Sequence, residues 1–172
     1  FEGQHTHALP QHHHLFAQPQ DHRGASQIHL EFVHQLVRDA RALELDPARP
    51  AVLLWVGWAL AWFGKPEQGV PYVEQAARLN PNNSVARLGL GAIYGMLNRL
   101  DDAHAELRAQ EALSPHSPFE YNALIWDAFV HLKAGRLTMA LDAADRSLRM
   151  MPTFTAALHM RATVCELLNQ SD

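Results

Sequence analysis

Residues 47–81 read PARPAVLLWVGWALAWFGKPEQGVPYVEQAARLNP, and this stretch decides the fold. Apolar residues recur at helical spacing on both sides of a short break at residues 64–66. A proline cannot continue a helix interior, so Pro81 marks the end of the second helical segment. The stretch therefore predicts two helices, residues 50–63 and 67–79, joined by a tight turn.

The same unit recurs along the chain with a period of 34 residues. Pro47 and Pro81 have this separation, as do Pro118 and Pro152, and a three-residue insertion at 115–117 accounts for the offset between the two pairs. A period of this size is typical of helical-repeat solenoids. It predicts two further helix pairs and a single helix at each end of the stack. These are 85–97 with 100–113, 118–134 with 137–150, 29–45 at the start and 154–169 at the end.

Small residues occur at the positions where paired helices must touch. They are Gly57, Gly91 and Ala128 in the first helices, and Gly69, Ala103 and Ala140 in the second helices. Together with the period and the closing proline, they make residues 29–169 resemble the tetratricopeptide repeat family. The resemblance implies an all-α fold, a right-handed superhelix of antiparallel helix pairs (an α-solenoid). The implied domain spans 29–172, with full repeats at about 50–83, 84–117 and 118–154.

The composition narrows the classes of function. The 172 residues are 48% hydrophobic, which is enough for a core, and the formal charge of -4 disfavours nucleic-acid binding. The single cysteine excludes an internal disulfide framework. The longest uncharged apolar run, residues 51–63, would extend about 20 Å as a helix, whereas a membrane span needs roughly 20 residues. The sequence does not fix the compartment: the cytoplasm is favoured, and the periplasm is the alternative for a chain that has lost a signal peptide.

Three tryptophans of the first complete repeat form one stripe. Trp55, Trp58 and Trp62 stand at i, i+3 and i+7, so they share one face of the helix. In the family that the chain resembles, the first helices line the concave side, where ligands bind. The resemblance therefore implies an aromatic and aliphatic groove for a partner. The residues expected in it are Trp55, Trp58, Trp62, Leu88, Met96, Ile125, Trp126, Phe129 and His159.

The expected function is a non-catalytic interaction or scaffold module that binds an apolar helix or peptide. The sequence contains no motif of a serine hydrolase, phosphate-binding loop, dinucleotide-binding fold or zinc protease. An exposed patch of tryptophans is rare on a soluble monomer, so something should cover it. The candidates are a partner helix, a second copy of the chain, and the chain's own N-terminal arm. Alternatively, the tryptophans simply fill a tight superhelix interior.

Residues 1–28 differ from the rest of the chain and predict an extended arm without a core of its own. They hold six of the twelve histidines and show no helical period. Imidazoles of this arm can chelate Zn²⁺ or Ni²⁺. The candidates are His5, His7, His12, His13 and His14. A flexible arm that binds metal adventitiously is the simpler interpretation, so no cofactor is expected.

Two alternative functions follow from these features. The first is a metal-handling protein that uses the arm as chelator. The second rests on the segment 113–160, which resembles the C-terminal repeats of bacterial adenylate-cyclase-like and TolB-like regulators, and it implies a regulatory appendage. Elsewhere, His131 is expected to be a packed structural histidine, and His104 is expected on a solvated helix face.

Overall fold

The computed structural model describes residues 49–115, 117 and 120–170. Within these residues the chain forms seven α-helices and no strand. They are α1 (Pro50–Trp62), α2 (Pro66–Leu79), α3 (Ser84–Met96), α4 (Leu100–Leu113), α5 (Glu120–Lys133), α6 (Leu137–Met150) and α7 (Thr155–Asn169). The predicted arm at 1–28 and the predicted helix at 29–45 lie outside the described residues. None of the described helices is long and apolar enough to cross a membrane.

Consecutive helices pair through short turns and the pairs then stack. The pairs are α1 with α2, α3 with α4, and α5 with α6, while α7 packs against both α5 and α6. The first helices of successive pairs also contact one another, in the order α1, α3, α5, α7. One pair cannot bury its apolar side alone, so stacking is what creates the core. The predicted all-α solenoid of antiparallel helix pairs is confirmed.

The turns inside the three pairs share one backbone geometry. Gly64, Asn98 and Gly135 have φ angles of 76°, 62° and 71°. In each turn the next residue donates its N–H to the carbonyl five residues earlier, at 2.9 Å, as Lys65 does to Leu60. This is the Schellman ending, in which a left-handed residue stops the helix and satisfies its last carbonyls. The geometry reverses the chain direction and starts the second helix of the pair.

Glycine lets the helices of the first pair approach closely. A Cβ atom added at Gly69 would collide with the carbonyl oxygen of Gly57, and one added at Gly57 would collide with Val73. The corresponding residues of the third pair, Ala128 and Ala140, are fully buried. The small residues therefore lie in the helix contacts where the repeat pattern predicts them.

Asn, Ser and Thr are favourable N-cap residues, and Asn83 with Ser84 and Thr153 precede predicted helices, so the sequence predicts side-chain N-caps at these two places. The Asn83 side chain accepts hydrogen bonds from the N–H groups of Val85 and Ala86, at 3.0 and 3.3 Å. At α7 the N-cap residue is Phe154, and no side chain caps the helix. The prediction is confirmed for Asn83 and wrong for Thr153, because α7 begins one residue too late for a threonine cap.

Two substitutions at Asn98 separate backbone conformation from side-chain chemistry. An alanine in the left-handed region costs about 1 kcal/mol or more, whereas glycine adopts it freely. We expect Asn98→Ala to lower the free energy of unfolding in urea by about 1 kcal/mol, and Asn98→Gly to leave it nearly unchanged. Equal losses in the two variants would show that the Asn98 side chain, and not its φ angle, stabilises the turn.

Candidate functional site

The first helices share one aromatic layer, which we call the inner surface. Its side chains are Trp55, Trp58 and Trp62 on α1, Met96 on α3, and Trp126, Phe129 and Lys133 on α5. Trp62 meets Trp126 edge to face, with ring centroids 6.3 Å apart. Trp126 meets Phe129 in the same way at 5.8 Å. Such contacts are favourable beyond the area that they bury, and here they join α1 to α5 across α3.

Two of the four tryptophans point into the stack. Trp58 lies against Gly89 of α3, where an added Cβ would collide with the indole nitrogen. That nitrogen is buried and has no hydrogen-bond partner among the described residues. Trp126 is 3% exposed. For these two rings the structure supports the alternative that tryptophans fill a tight superhelix interior.

The other two tryptophans reach solvent. Trp55 and Trp62 are 45% and 43% exposed, at the two ends of the α1 stripe. Met96 and Phe129 of the same layer are half-buried. The part of the inner surface that can meet another molecule is therefore smaller than the sequence predicts, and it is centred on α1.

The remaining predicted contact residues divide into core and surface. Leu88 and Ile125 are 7% and 1% exposed, so they belong to the core, as Trp126 does. The expectation that these three contact a partner is corrected, since they pack between helices and offer no surface. His159 is exposed on α7. The predicted metal candidates His5, His7, His12, His13 and His14 lie outside the described residues.

Lys133 is the charged residue of the inner surface, and its ammonium group forms hydrogen bonds between two helices. It donates to the carbonyl oxygens of Gly95 and Met96 at the end of α3, at 3.1 and 3.3 Å. It also lies 5.5 Å from the centroid of the Phe129 ring. A cation at a helix C-terminus is favourable, while burial lowers the pKa of Lys133. This charge is therefore committed to holding α5 against α3.

A cavity of about 620 Å³ opens on the other side of the stack, between α4, α5 and α6. We call it the outer cavity. Its ionisable wall residues are Asp101, His104, Arg108, Glu111, Glu120, Asp127, His131, Arg136 and Arg146. The outer cavity thus holds many charged groups beside apolar ones such as Leu107, Leu124 and Met139, whereas the inner surface is aromatic.

One wall of the outer cavity brings two imidazoles to one carboxylate. Asp127 Oδ1 lies 3.4 Å from His104 Nδ1, and Asp127 Oδ2 lies 3.6 Å from His131 Nε2. The two imidazole centroids are 4.5 Å apart. Arg136 donates to His104 Nε2 at 3.0 Å. A guanidinium group has only donors, so Nε2 accepts and the proton of His104 resides on Nδ1, facing Asp127.

Burial governs the protonation of this cluster. It lowers the pKa of both His104 and His131 below 6.5, and the charge of Arg136 lowers both further. Arg108 lowers the pKa of His104, while Asp127 raises both values without overcoming burial. Both imidazoles are therefore neutral at pH 7. The Nδ1 atom of His131 is buried and has no hydrogen-bond partner among the described residues.

The sequence interpretation missed this cluster. His131 is buried, as expected, but His104 is half-buried against α5 and does not lie on a solvated face. Asp127 and His131 stand at i and i+4, a spacing that places them on one helix face. The contact with His104 depends on how α4 of one repeat packs on α5 of the next. Residue spacing in the sequence does not predict this packing.

Comparisons with known proteins identify the repeat. Residues 63–125 match the tetratricopeptide repeat family model. No curated protein matches the chain in sequence. Among solved structures, YrrB, a TPR protein with an unusual peptide-binding site, is similar with a TM-score of 0.62 and 20% identity, over 78% of this chain and 68% of that one.

Two further solved structures have the same fold. MamA is similar with a TM-score of 0.62 and 19% identity, over 84% of this chain and 83% of that one. A MamA chain from Desulfovibrio magneticus RS-1, comprising residue 41 to the end, gives a TM-score of 0.57 and 21% identity, over 87% and 94% of the two chains. At these identities the likeness shows the fold alone.

The stacked helix pairs, the left-handed turns and the small contact residues define an α-solenoid of repeated helix hairpins. The family model matches residues 63–125 of this stack, and the hairpins of this segment are tetratricopeptide repeats.

The buried imidazoles predict a stability that falls in acid. Because the unfolded chain binds protons at a higher pH than the folded chain, the free energy of unfolding falls as the pH drops from about 6.5 through the lower folded-state pKa values. We expect a lower urea midpoint at about pH 5 than at about pH 7 in metal-free buffer. His131→Phe should reduce this difference, because one of the two imidazoles is gone.

The matched control is His159→Gln on the exposed face of α7, which should keep the wild-type dependence on pH. If His131→Phe and His159→Gln have the same effect, the buried cluster does not cause the loss of stability in acid.

Proposed function

We propose that this chain is a non-catalytic protein-interaction module whose inner surface binds an apolar peptide or amphipathic helix of a partner protein. The observation that carries the proposal is the exposure of Trp55 and Trp62, at 45% and 43%, above a packed aromatic layer. Tryptophan is among the residues most enriched at the energetic centres of interfaces. Rings held by a rigid layer lose little conformational entropy on binding, which favours affinity.

The charges of the first helices favour an apolar occupant. Lys133 is engaged with the end of α3, and Arg87 on α3 forms an ion pair with Glu106 of α4 at 3.0 Å. A carboxylate of a partner would therefore have to compete with these contacts on α3 and α5. An apolar side chain would instead bury indole surface without breaking any of them.

The free energy gained by covering the exposed indole surface is adequate for a specific interaction of moderate affinity. A fully buried aromatic side chain removes about 150–250 Å² from water, so covering the exposed fraction of each ring is worth about 2 kcal/mol before ordering costs. Met96 and Phe129 extend the apolar area beside the rings. The similarity to YrrB, a protein with a peptide-binding site in the same fold, also supports a peptide as occupant.

The test is selection of binding peptides from a random peptide library displayed on phage, with the full chain as bait. We expect the enriched sequences to be apolar at helical spacing. One synthetic peptide from that set is then titrated against wild type, Trp55→Ala and Trp62→Ala, with tryptophan fluorescence as readout. Each substitution should weaken binding by about 10-fold or more, because each removes a large part of the contact area.

Met139→Ala is the matched control, since Met139 is 50% exposed but lines the outer cavity. It should bind the peptide as wild type does. Enrichment of acidic peptides, or equal weakening by Met139→Ala, would contradict the proposal. Sedimentation equilibrium tests whether a second copy of the chain occupies the inner surface. If wild type is a dimer and Trp55→Ala is a monomer, the partner is a second copy and not another protein.

A further inference from the structure

We infer that His104, Asp127 and His131 form a zinc-binding site in the outer cavity, separate from the inner surface. The three side chains come from two repeats, His104 from α4 and the other two from successive turns of α5. One ligand atom from each residue can be chosen so that all three lie within 4.8 Å of one another.

The donor set is one that zinc prefers. Zinc in proteins binds imidazole nitrogen and carboxylate oxygen at about 2.0–2.2 Å, and two ligand atoms on a tetrahedron of that size are about 3.3–3.6 Å apart. The oxygens of Asp127 lie 3.4 Å from His104 Nδ1 and 3.6 Å from His131 Nε2. Small side-chain rotations would bring the three atoms onto one metal. Magnesium and calcium favour oxygen ligands, so two imidazoles select a first-row transition metal or zinc.

The state of the imidazoles suits a metal ligand. Zinc binds the neutral imidazole, through either Nδ1 or Nε2. The side chain of His131 is 9% exposed, and its Nδ1 has no hydrogen-bond partner among the described residues. The nitrogen that faces Asp127 is Nε2, so Nε2 is the atom of His131 that would bind zinc, while the unpartnered Nδ1 is the other ring nitrogen.

The cavity also admits a cation and its remaining ligands. Acidic residues outnumber arginines on its wall, with Asp101, Glu111, Glu120 and Asp127 facing Arg108, Arg136 and Arg146. A volume of about 620 Å³ leaves room for water or a partner's side chain at the fourth coordination position. Three protein ligands and one open position are the pattern of zinc sites that exchange a ligand.

Arg136 is the group that zinc must displace. Its guanidinium donates to His104 Nε2, which keeps the ring proton on the nitrogen that faces Asp127. Coordination through Nδ1 moves that proton to Nε2, and the exposed Arg136 side chain then turns away. Zinc would thus replace the hydrogen bond between Arg136 and His104 with a cross-link between α4 and α5. These two helices belong to neighbouring repeats.

The experiment measures zinc affinity by competition with a chromogenic chelator, using zinc chloride and the full chain. The background variant carries alanine at five arm histidines, so that adventitious binding is removed. These are His5, His7, His12, His13 and His14. We expect this variant to bind one equivalent of zinc and to unfold at a higher temperature when zinc is present, because a ligand of the folded state stabilises it.

Two substitutions in that background test the ligands. Asp127→Asn keeps the shape of the side chain, and His131→Phe keeps an aromatic ring in a packed position. Each should weaken zinc binding by about 10-fold or more and abolish the thermal shift, with helicity unchanged by circular dichroism. Arg136→Gln should tighten binding several-fold, since it removes a nearby positive charge.

The proposal is overturned if zinc binding disappears with the arm histidines, because the arm is then the chelator. It is also overturned if Asp127→Asn binds zinc as tightly as its background, a result that does not depend on whether His131→Phe folds. Peptide binding at Trp55 and Trp62 is measured separately, so either proposal can fail without the other.

Discussion

The stack depends on one helix that has no side chain where its neighbours press against it. Glycines of α3 face three different helices, and a Cβ at any of them would crowd the opposing side chain. The contacts are Gly89 with Trp58 of α1, Gly91 with Leu107 of α4, and Gly95 with Val130 of α5. Each glycine costs about 1 kcal/mol relative to alanine in a helix. Close packing on three sides offsets this cost, and it brings Trp62 within reach of Trp126 across α3.

The helix boundaries could be predicted because each repeat contains its own stop signals. Gly64 and Gly135 occupy left-handed positions that glycine adopts without strain, and Asn98 serves at the equivalent place in the second pair. Pro81 and Pro152 lie just beyond the ends of α2 and α6, where a proline cannot continue the helix, whereas Pro71 lies inside α2. The predicted N-cap at Thr153 was wrong because capping depends on the path of the chain between α6 and α7. That path is set by packing rather than by residue type.

The candidate site could be predicted only in outline. Trp55 and Trp126 occupy equivalent positions in two repeats, yet they are 45% and 3% exposed. Helical periodicity assigns both to the inner surface, but Trp126 is in contact with Trp62 of α1 and with Phe129 of its own helix. The histidine cluster could not be predicted from the sequence for a similar reason. It requires the packing angle between α4 and α5, which no local pattern in either helix specifies.

The helix α5 contributes residues to both the inner surface and the outer cavity, on different faces. Trp126 and Asp127 are adjacent in sequence, but successive residues of a helix point about 100° apart, so one joins the aromatic layer and the other the outer cavity. Lys133 fixes the end of this helix to α3. A peptide on the inner surface and an ion in the outer cavity would therefore contact different atoms of one well-anchored helix. Neither ligand would displace a group that the other uses, so the two proposed sites would not compete.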